Sequence, residues 1–321
     1  MFKPRRFIIF TLLTFWLMTS CTGDRSVETN LRPDCHLMQH ALGETCVPLE
    51  PQRIVTLGGT TLESALAMDI QPLAAQTDVL LHLETQLADI EILGWPLNLE
   101  KIVALKPDLI IGLADGQEQT TYDLLSQIAP TVLANNQNSG HWQEIVRFMG
   151  EVFQEPEMAN RVITDYQGQI TNLKQQLGEQ RSEIEVSVIR LYPDKISVYL
   201  KDSFIGQILA DIGLGRPAAQ NLDQNQALAI VGNPIQMSLS QERLQDADGD
   251  IIFVVVYDYQ PRIEKESQAQ LKKLADTPLW SRLGAVKQDQ VYLVGGHWLV
   301  SGPLAAQAVI DDLLSLEFLE N

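Results

Sequence analysis

Across residues 157–180, Ala159, Val162, Ile163, Tyr166, Ile170, Leu173 and Leu177 recur mostly three and four apart, which puts them on one face of a single helix. Pro156 suits the first turn and Gly178 a stop, and about 22 residues at 1.5 Å each give roughly 33 Å. A helix of that length crosses a small domain, so the chain on either side has to be arranged around it. On each side strand-like apolar runs alternate with helical ones over roughly 100 to 140 residues, the pattern of a parallel α/β sheet. The predicted fold class is α/β, with two lobes of mainly parallel sheet joined by one long α-helix. The first lobe is expected over 53–155, the bridging helix over 156–182 and the second lobe over 183–321.

The N-terminal end carries a different signal. Lys3, Arg5 and Arg6 precede the apolar run 7–18, and Thr19, Ser20 and Cys21 follow, the order of a secretion signal. The apolar run is short of the ~20 residues needed to span a bilayer. A cysteine directly after small residues resembles the lipobox of bacterial lipoproteins. Residues 1–20 are therefore expected to be a lipoprotein signal peptide and Cys21 the acylated first residue of an exported, periplasmic protein held to the membrane by lipid.

Cutting there removes three positive charges and no negative ones, taking the formal charge from −18 to −21. That argues against nucleic acid as a partner. With 45% apolar and 20% charged residues the chain reads as a packed globular protein and not as an acidic tail. Of its three cysteines, Cys35 and Cys46 remain after Cys21, and an oxidising compartment favours a disulfide between them. The competing reading is metal, because His36 and His40 stand four apart between them. The segment 21–52 is expected to be a tether carrying this disulfide, polar and without period over 22–34.

From Arg53 the pattern becomes regular: RIVTL reads as a strand, Gly58-Gly59-Thr60 as a turn where backbone can approach a ligand, and 61–68 as a short helix opened by a Thr cap. The most informative run is ILGWPLNLEKIVALKPDLIIG over 92–112. Asn98 is a good helix cap, Glu100 falls in the positive first turn, and Pro107 ends the helix before the buried strand 108–111. In the second lobe, VSVIRLY and KISVYL read as a hairpin about Pro193-Asp194, and Ser203 caps a helix ended by Gly213. SLSQERLQDADGDIIFVVVY then repeats the first-lobe logic: Ser240 caps, Glu242 lies in the first turn, Gly249 stops the helix and Asp250 opens a strand. Glu100 precedes Asp108 by eight residues, and Glu242 precedes Asp250 by eight. Further helices are expected over 267–283 and from Pro303, with a strand over 290–294.

The strand, NLE helix and LKPDLII strand, together with the bridging helix, resemble the substrate-binding proteins of bacterial importers for iron-siderophores and cobalamin. HALGETCVP at 40–48 and KDSFIGQILADIGLGRP at 201–217 are similar to the cyanobacterial iron(III)-siderophore-binding group. The resemblance covers roughly residues 50–316. It implies a monomeric ABC-importer component that captures a ferric siderophore, of hydroxamate or citrate type, between its lobes and hands it to an inner-membrane permease with its ATPase. It also implies that Glu100 and Glu242 dock onto permease arginines; by residue type alone they are favourable helix-start charges.

No nucleophile elbow, phosphate loop, dinucleotide fingerprint or zincin motif is present in the sequence, so no enzyme is expected. No cofactor or protein metal site is expected either, because iron would arrive wrapped by its chelator. Ligand groups are expected at strand ends facing an inter-lobe cleft. Arg190 stands in an otherwise apolar strand and offers forked donors to carboxylate oxygens, with Tyr192 on the same strand face. Trp95 and Trp298 match aromatic positions near the cleft in the family. Thr60, Tyr257, Tyr259 and Arg262 complete the candidates. Cobalamin or haem as the cargo, and a sensor that reports ligand occupancy, are the alternatives. Mass spectrometry of the membrane fraction is expected to find an acylated N-terminal Cys21; a product that retains residues 7–18 would refute the export reading.

Overall fold

A computed structural model of the chain describes residues 34–77, 81–114, 119–258 and 260–315. Cys21 and Tyr259 lie outside the described residues. The first element corrects the expected tether. CHLMQH and GETCVP alternate inward and outward residues, and they pair as an antiparallel hairpin of β1 (Cys35–His40) and β2 (Gly43–Pro48). Met38 and Val47 point from it into the main core. The predicted Cys35–Cys46 disulfide closes the hairpin. His36 and His40 both lie on β1, and His40 is committed to other bonds. Its Nδ1 accepts from the Leu42 N–H at 3.2 Å, so Nε2 carries the proton and donates to Thr45 Oγ1 at 3.0 Å. Burial lowers its pKa.

The first lobe is a wholly parallel five-stranded sheet. Its strands are β3 (Ile54–Leu57), β4 (Ala74–Gln76), β5 (Glu91–Ile92), β6 (Leu109–Ala114) and β7 (Thr131–Asn135), in the order β5-β4-β3-β6-β7. Helices α1 (Gly59–Ala67), α2 (Leu99–Leu105), α3 (Gln119–Leu125) and α4 (Trp142–Val152) connect or follow them. The hairpin covers the outer edge of β7: Ala41 N–H donates to Leu133 O at 3.0 Å and Thr45 Oγ1 to Thr131 O at 2.9 Å. An edge that would otherwise offer unpaired carbonyls is thereby occupied.

Next comes α5 (Pro156–Leu177), the 22-residue bridging helix, and after it the second lobe. Its sheet is built from β8 (Val186–Leu191), β9 (Ile196–Tyr199), β10 (Gln236–Leu239), β11 (Ile251–Val255) and β12 (Val291–Val294), in the order β10-β9-β8-β11-β12. Helices α6 (Phe204–Ile212), α7 (Gln224–Val231), α8 (Pro261–Ala275), α9 (Gly284–Lys287) and α10 (Pro303–Ser315) complete it. Strand for strand this is the order of the first lobe. The difference is that the Pro193-Asp194 hairpin runs β9 antiparallel to β8. The eight-residue repeat has a structural counterpart. Asp108, just before β6, accepts from the N–H groups of Gln52 and Arg53 at 2.8 and 2.9 Å, and Asp250, just before β11, accepts from Glu185 N–H at 2.8 Å. Each aspartate ties the start of its strand to the segment leading into the central strand.

The apolar face of α5 behaves as its spacing predicts: Ala159, Ile163, Tyr166, Ile170 and Leu173 are buried, and Gly178 at φ 71° ends the helix. They share one continuous core with Leu109 and Trp142 of the first lobe and Val186, Phe253 and Ile208 of the second. Trp142 meets the Tyr166 ring edge-on at 4.9 Å, and the Tyr166 hydroxyl donates to Asp211 Oδ2 of α6 at 2.7 Å. One side chain of α5 thus touches both lobes. Gly150 permits the close approach of α4, since a Cβ there would lie 2.6 Å from that of Ala159.

Local readings differ in four places. No side chain caps α1; its N-cap is Gly58 at φ 107°, and Thr61 Oγ1 donates back to Leu57 O and Gly58 O instead. The segment after Ser240 is a kinked 3₁₀ run, Gln241–Ala247, and not an α-helix. The helix expected over 267–283 begins at Pro261, a favoured first-turn residue, and ends at Ala275. The strand after α9 begins one residue late, at Val291.

The disulfide closes a loop of 11 residues' separation. In the chain-entropy relation such a loop contributes about 3 kcal/mol through the unfolded state. Thiol counting should find Cys35 and Cys46 unreactive until reduction, and the Cys35→Ser, Cys46→Ser double variant should show a lower denaturant midpoint with the same ligand affinity.

Candidate functional site

Ligands of open α/β sheets bind beyond the carboxyl ends of the strands, and here the two sets of carboxyl ends meet. The turn 81–83 after β4 packs against the turn 296–298 after β12. Beyond β7, Ser139 Oγ accepts from Phe204 N–H at 3.1 Å, Ser139 O accepts from Ser301 Oγ at 2.7 Å, and Asn138 bonds to Gln224. The segment 201–217 that carries the resemblance does its work at this seam. Ser203 caps α6 by accepting from Gly206 N–H, Asp202 accepts from Gln224 N–H, and a Cβ on Gly206 would lie 2.2 Å from Leu200 O.

On the first-lobe side, a cavity of about 300 Å³ opens at the ends of β3, β4, β6 and β7. Its walls are mainly apolar, from Leu57, Leu97, Leu113 and Leu133, with Trp95 and Tyr122 as aromatic groups and Gln76 and Asn136 as polar ones. Trp95 is 62% exposed, as a ligand-facing aromatic would be. Gly58 lines this cavity and Thr60 does not; Thr60 is half-buried in the first turn of α1. Tyr122 is oriented from behind, its hydroxyl 3.3 Å from His40 Nε2 of the hairpin.

On the second-lobe side, Arg190 near the end of β8 is held in ion-pair range of Asp258, just past β11, with Nη2 to Oδ2 at 3.6 Å. Its guanidinium lies over the Tyr192 ring at 4.5 Å, and Lys195 Nζ lies over the same ring at 4.2 Å. Arg190 Nε is buried without a hydrogen-bond partner, as is the hydroxyl of Ser197, the residue directly opposite Arg190 on β9. Burial pushes the neighbouring Tyr199 phenol up, and the Arg190 charge partly offsets this. Tyr257 is half-buried with its ring against the Gly296 backbone, where a Cβ would lie 2.5 Å away.

One expectation is corrected. Trp298 has no exposed surface: its ring packs on Phe253 with centroids 4.3 Å apart, and Nε1 donates to Asp312 Oδ2 at 2.8 Å. It is a core residue and not a ligand contact. Arg262 projects from the first turn of α8 and pairs with Glu266 at 2.7 Å along its own helix. Trp298 belongs to a polar seam that sequence reasoning missed. Glu63, fully buried, accepts from Ala305 N–H at 2.8 Å and pairs with His82 at 2.9 Å, and His297 pairs with Asp312 at 2.7 Å. Burial pushes the Asp312 carboxyl up, but the hydrogen bonds from His297 and Trp298 outweigh it and hold the group below its ordinary range. Gly302 is required here, since a Cβ would lie 2.3 Å from Glu63.

Glu100 and Glu242 are both exposed, each near the start of its segment. A hydrogen bond from Ser240 lowers the Glu242 pKa. Among the described residues, no three His, Cys, Asp or Glu side chains converge in an arrangement that could hold a metal ion. No helix among them is long and apolar enough to cross a membrane.

Residues 83–296 match the family described as Periplasmic binding protein. The chain belongs to that family. A Bacillus subtilis (strain 168) relative named as the probable siderophore-binding lipoprotein YfiY is 29% identical over 315 residues, covering 94% of each chain. The achromobactin-binding periplasmic protein of Dickeya dadantii (strain 3937) is 28% identical, covering 82% of this chain and 85% of its own. The crystal structure of Staphylococcus aureus SirA complexed with staphyloferrin B aligns with a TM-score of 0.74 at 25% identity, over 87% of this chain and 97% of SirA. This periplasmic binding protein therefore has the two-lobed architecture of its relatives, with substrate binding and not catalysis as the family's work.

Gln76 ends β4, Asn136 and Asp258 follow the ends of β7 and β11, and all three were open to the same positional reasoning that found Arg190. Tyr122 was not, because in sequence it is one more residue of an amphipathic helix. Trp298→Ala should lower unfolding free energy by about 3–5 kcal/mol, the range for truncating a buried aromatic, as measured by urea denaturation. A variant as stable as wild type with weakened ligand binding would return Trp298 to the cleft.

Proposed function

We propose that this protein is the substrate-binding component of an ABC importer, capturing a ferric siderophore of hydroxamate or citrate type between its lobes. The observation that carries the reading is the second-lobe cluster. Arg190 and Lys195 gather over Tyr192 at the carboxyl edge of the sheet, with the Arg190 donors only partly used by Asp258. Ferric chelates that carry carboxylates are met by forked guanidinium donors, while the apolar, aromatic cavity of the first lobe covers the organic part of the ligand. The name of YfiY, a probable siderophore-binding lipoprotein, supports a siderophore as the cargo, and the names of the iron(3+)-hydroxamate-binding protein YxeB and the Fe(3+)-citrate-binding protein YfmC of Bacillus subtilis support the two chelate types. Iron is cargo here, enclosed by its chelator, and the protein brings no cofactor of its own. Because α5 is packed into both lobes along its length, closure on the ligand is small.

Delivery follows from the two exposed glutamates. One carboxylate per lobe engages one of two symmetry-related permease subunits, so the second contact forms at high effective concentration. Acylation at Cys21 keeps the protein at the membrane where the permease resides, and it acts as a monomer.

Tryptophan fluorescence titration with ferric citrate, ferric hydroxamates, haem and cobalamin tests the cargo. A ferric siderophore is expected to bind, and Arg190→Ala should weaken a carboxylate-bearing one by about 1.5–3 kcal/mol, or roughly 10- to 150-fold. Exclusive binding of haem or cobalamin would overturn the reading. In reconstituted vesicles, Glu100→Arg with Glu242→Arg should retain ligand affinity and lose uptake, since like charge would face the permease arginines; normal uptake would return both glutamates to their role as helix-start charges.

A further inference from the structure

The Arg190–Asp258 pair has an unusual construction for a structural ion pair. Both partners are largely buried, with side-chain exposures of 20% and 10%. A pair built to stay together in such surroundings is bidentate, with N to O distances of about 2.7–2.9 Å. Here a single Nη2 to Oδ2 approach stands at 3.6 Å, beyond hydrogen-bond distance. The guanidinium Nε has no hydrogen-bond partner although it is buried, and neither has the Ser197 hydroxyl across the strand from it. Directly opposed residues of an antiparallel pair share a face, so the two unsatisfied groups stand on the same side of the sheet. Asp258, by contrast, has a second commitment of its own: Oδ1 accepts from Gln260 N–H at 3.0 Å. The carboxylate therefore neutralises the arginine without saturating it, and it retains a backbone partner if the arginine turns away.

Two other charges stand nearby. Lys195 shares the Tyr192 ring with Arg190. Asp194, in the same hairpin turn, is exposed to solvent. Two cations thus share one aromatic ring, and Asp258 is the one carboxylate in ion-pair range of Arg190 among the described residues.

We propose that Asp258 is a stand-in anion and a specificity-determining residue: its carboxylate occupies Arg190 until an anionic group of the cargo displaces it, leaving it held by Gln260 N–H. The inference rests on Arg190 being a ligand group. Its consequence is a charge threshold. A ligand with negative oxygens replaces the loose contact with forked hydrogen bonds to Arg190 and one from Ser197, whereas a neutral chelate has to leave the Arg190–Asp258 pair in place or separate it without compensation.

The test is a double-mutant cycle read by fluorescence titration, with folding checked by the urea midpoint. The probes are ferric citrate, which is anionic, and ferrichrome, a neutral ferric trihydroxamate. Asp258→Asn keeps the acceptor for Gln260 N–H and removes the competing charge. It should tighten ferric citrate by about two- to fivefold, the range for losing one competing ion pair, and leave ferrichrome unchanged. In the Arg190→Ala background the same substitution should give no gain. Unchanged or weaker citrate binding by a folded Asp258→Asn variant, or an equal gain for both probes, would show that Asp258 merely holds Arg190 in place, leaving the cargo assignment intact. Wild-type protein that binds neither probe nor any other ferric chelate would instead remove the cargo assignment and this inference together.

Discussion

The structure depends on the burial of one helix face in two places at once. Two sheets of similar strand order could fold as independent bodies on a flexible connection, but the apolar stripe of α5 is longer than either lobe needs. Its residues enter a single core that includes Leu109 and Trp142 on one side and Val186 and Phe253 on the other. At the middle, Tyr166 packs its ring on Trp142 and gives its hydroxyl to Asp211. Burial raises the pKa of that phenol further, with the Asp211 charge adding to it, so it remains a donor at any physiological pH. Relative rotation of the lobes would expose this face or break that bond, and the carboxyl ends of the two sheets therefore stay opposed.

That opposition is reinforced on the far side by the Glu63 seam. A carboxylate with no exposed surface is costly unless its lone pairs are used. Here α10 returns from the second lobe to supply Ala305 N–H, while His82 of the first lobe takes the other oxygen. At the carboxyl ends of the strands the first lobe presents an apolar wall, and the second a positive group whose donors are incompletely used. The division fits a ligand with an organic periphery and charged oxygens.

The two lobes reach the same strand order by different local means. In the first lobe every strand is parallel, and in the second the Pro193-Asp194 turn makes the β8–β9 pair antiparallel. That reversal places the hairpin turn at the carboxyl edge of β8. Lys195 arrives beside Tyr192 only for that reason.

What the sequence determined by itself was periodic or local. The α5 stripe, the Asn98 and Ser203 caps, the hairpin after Val186 and the eight-residue Glu-to-Asp repeat each follow from spacing within a few turns of chain, where side-chain direction is set by backbone geometry. The choice of disulfide over metal likewise followed from the cysteines and an exported chain. What only tertiary structure decided was which face each strand-end residue presents, and to what. Trp95 and Trp298 both follow glycines in loops after strands, yet one is exposed beside a cavity and the other is sealed against Phe253 by a bond to Asp312. The partners that separate them, Phe253 and Asp312, lie 45 residues upstream of Trp298 and 14 downstream. Asp258 and Arg190, and Glu63 and Ala305, meet for the same reason: parallel sheets bring distant strand ends side by side, and no local spacing encodes that meeting.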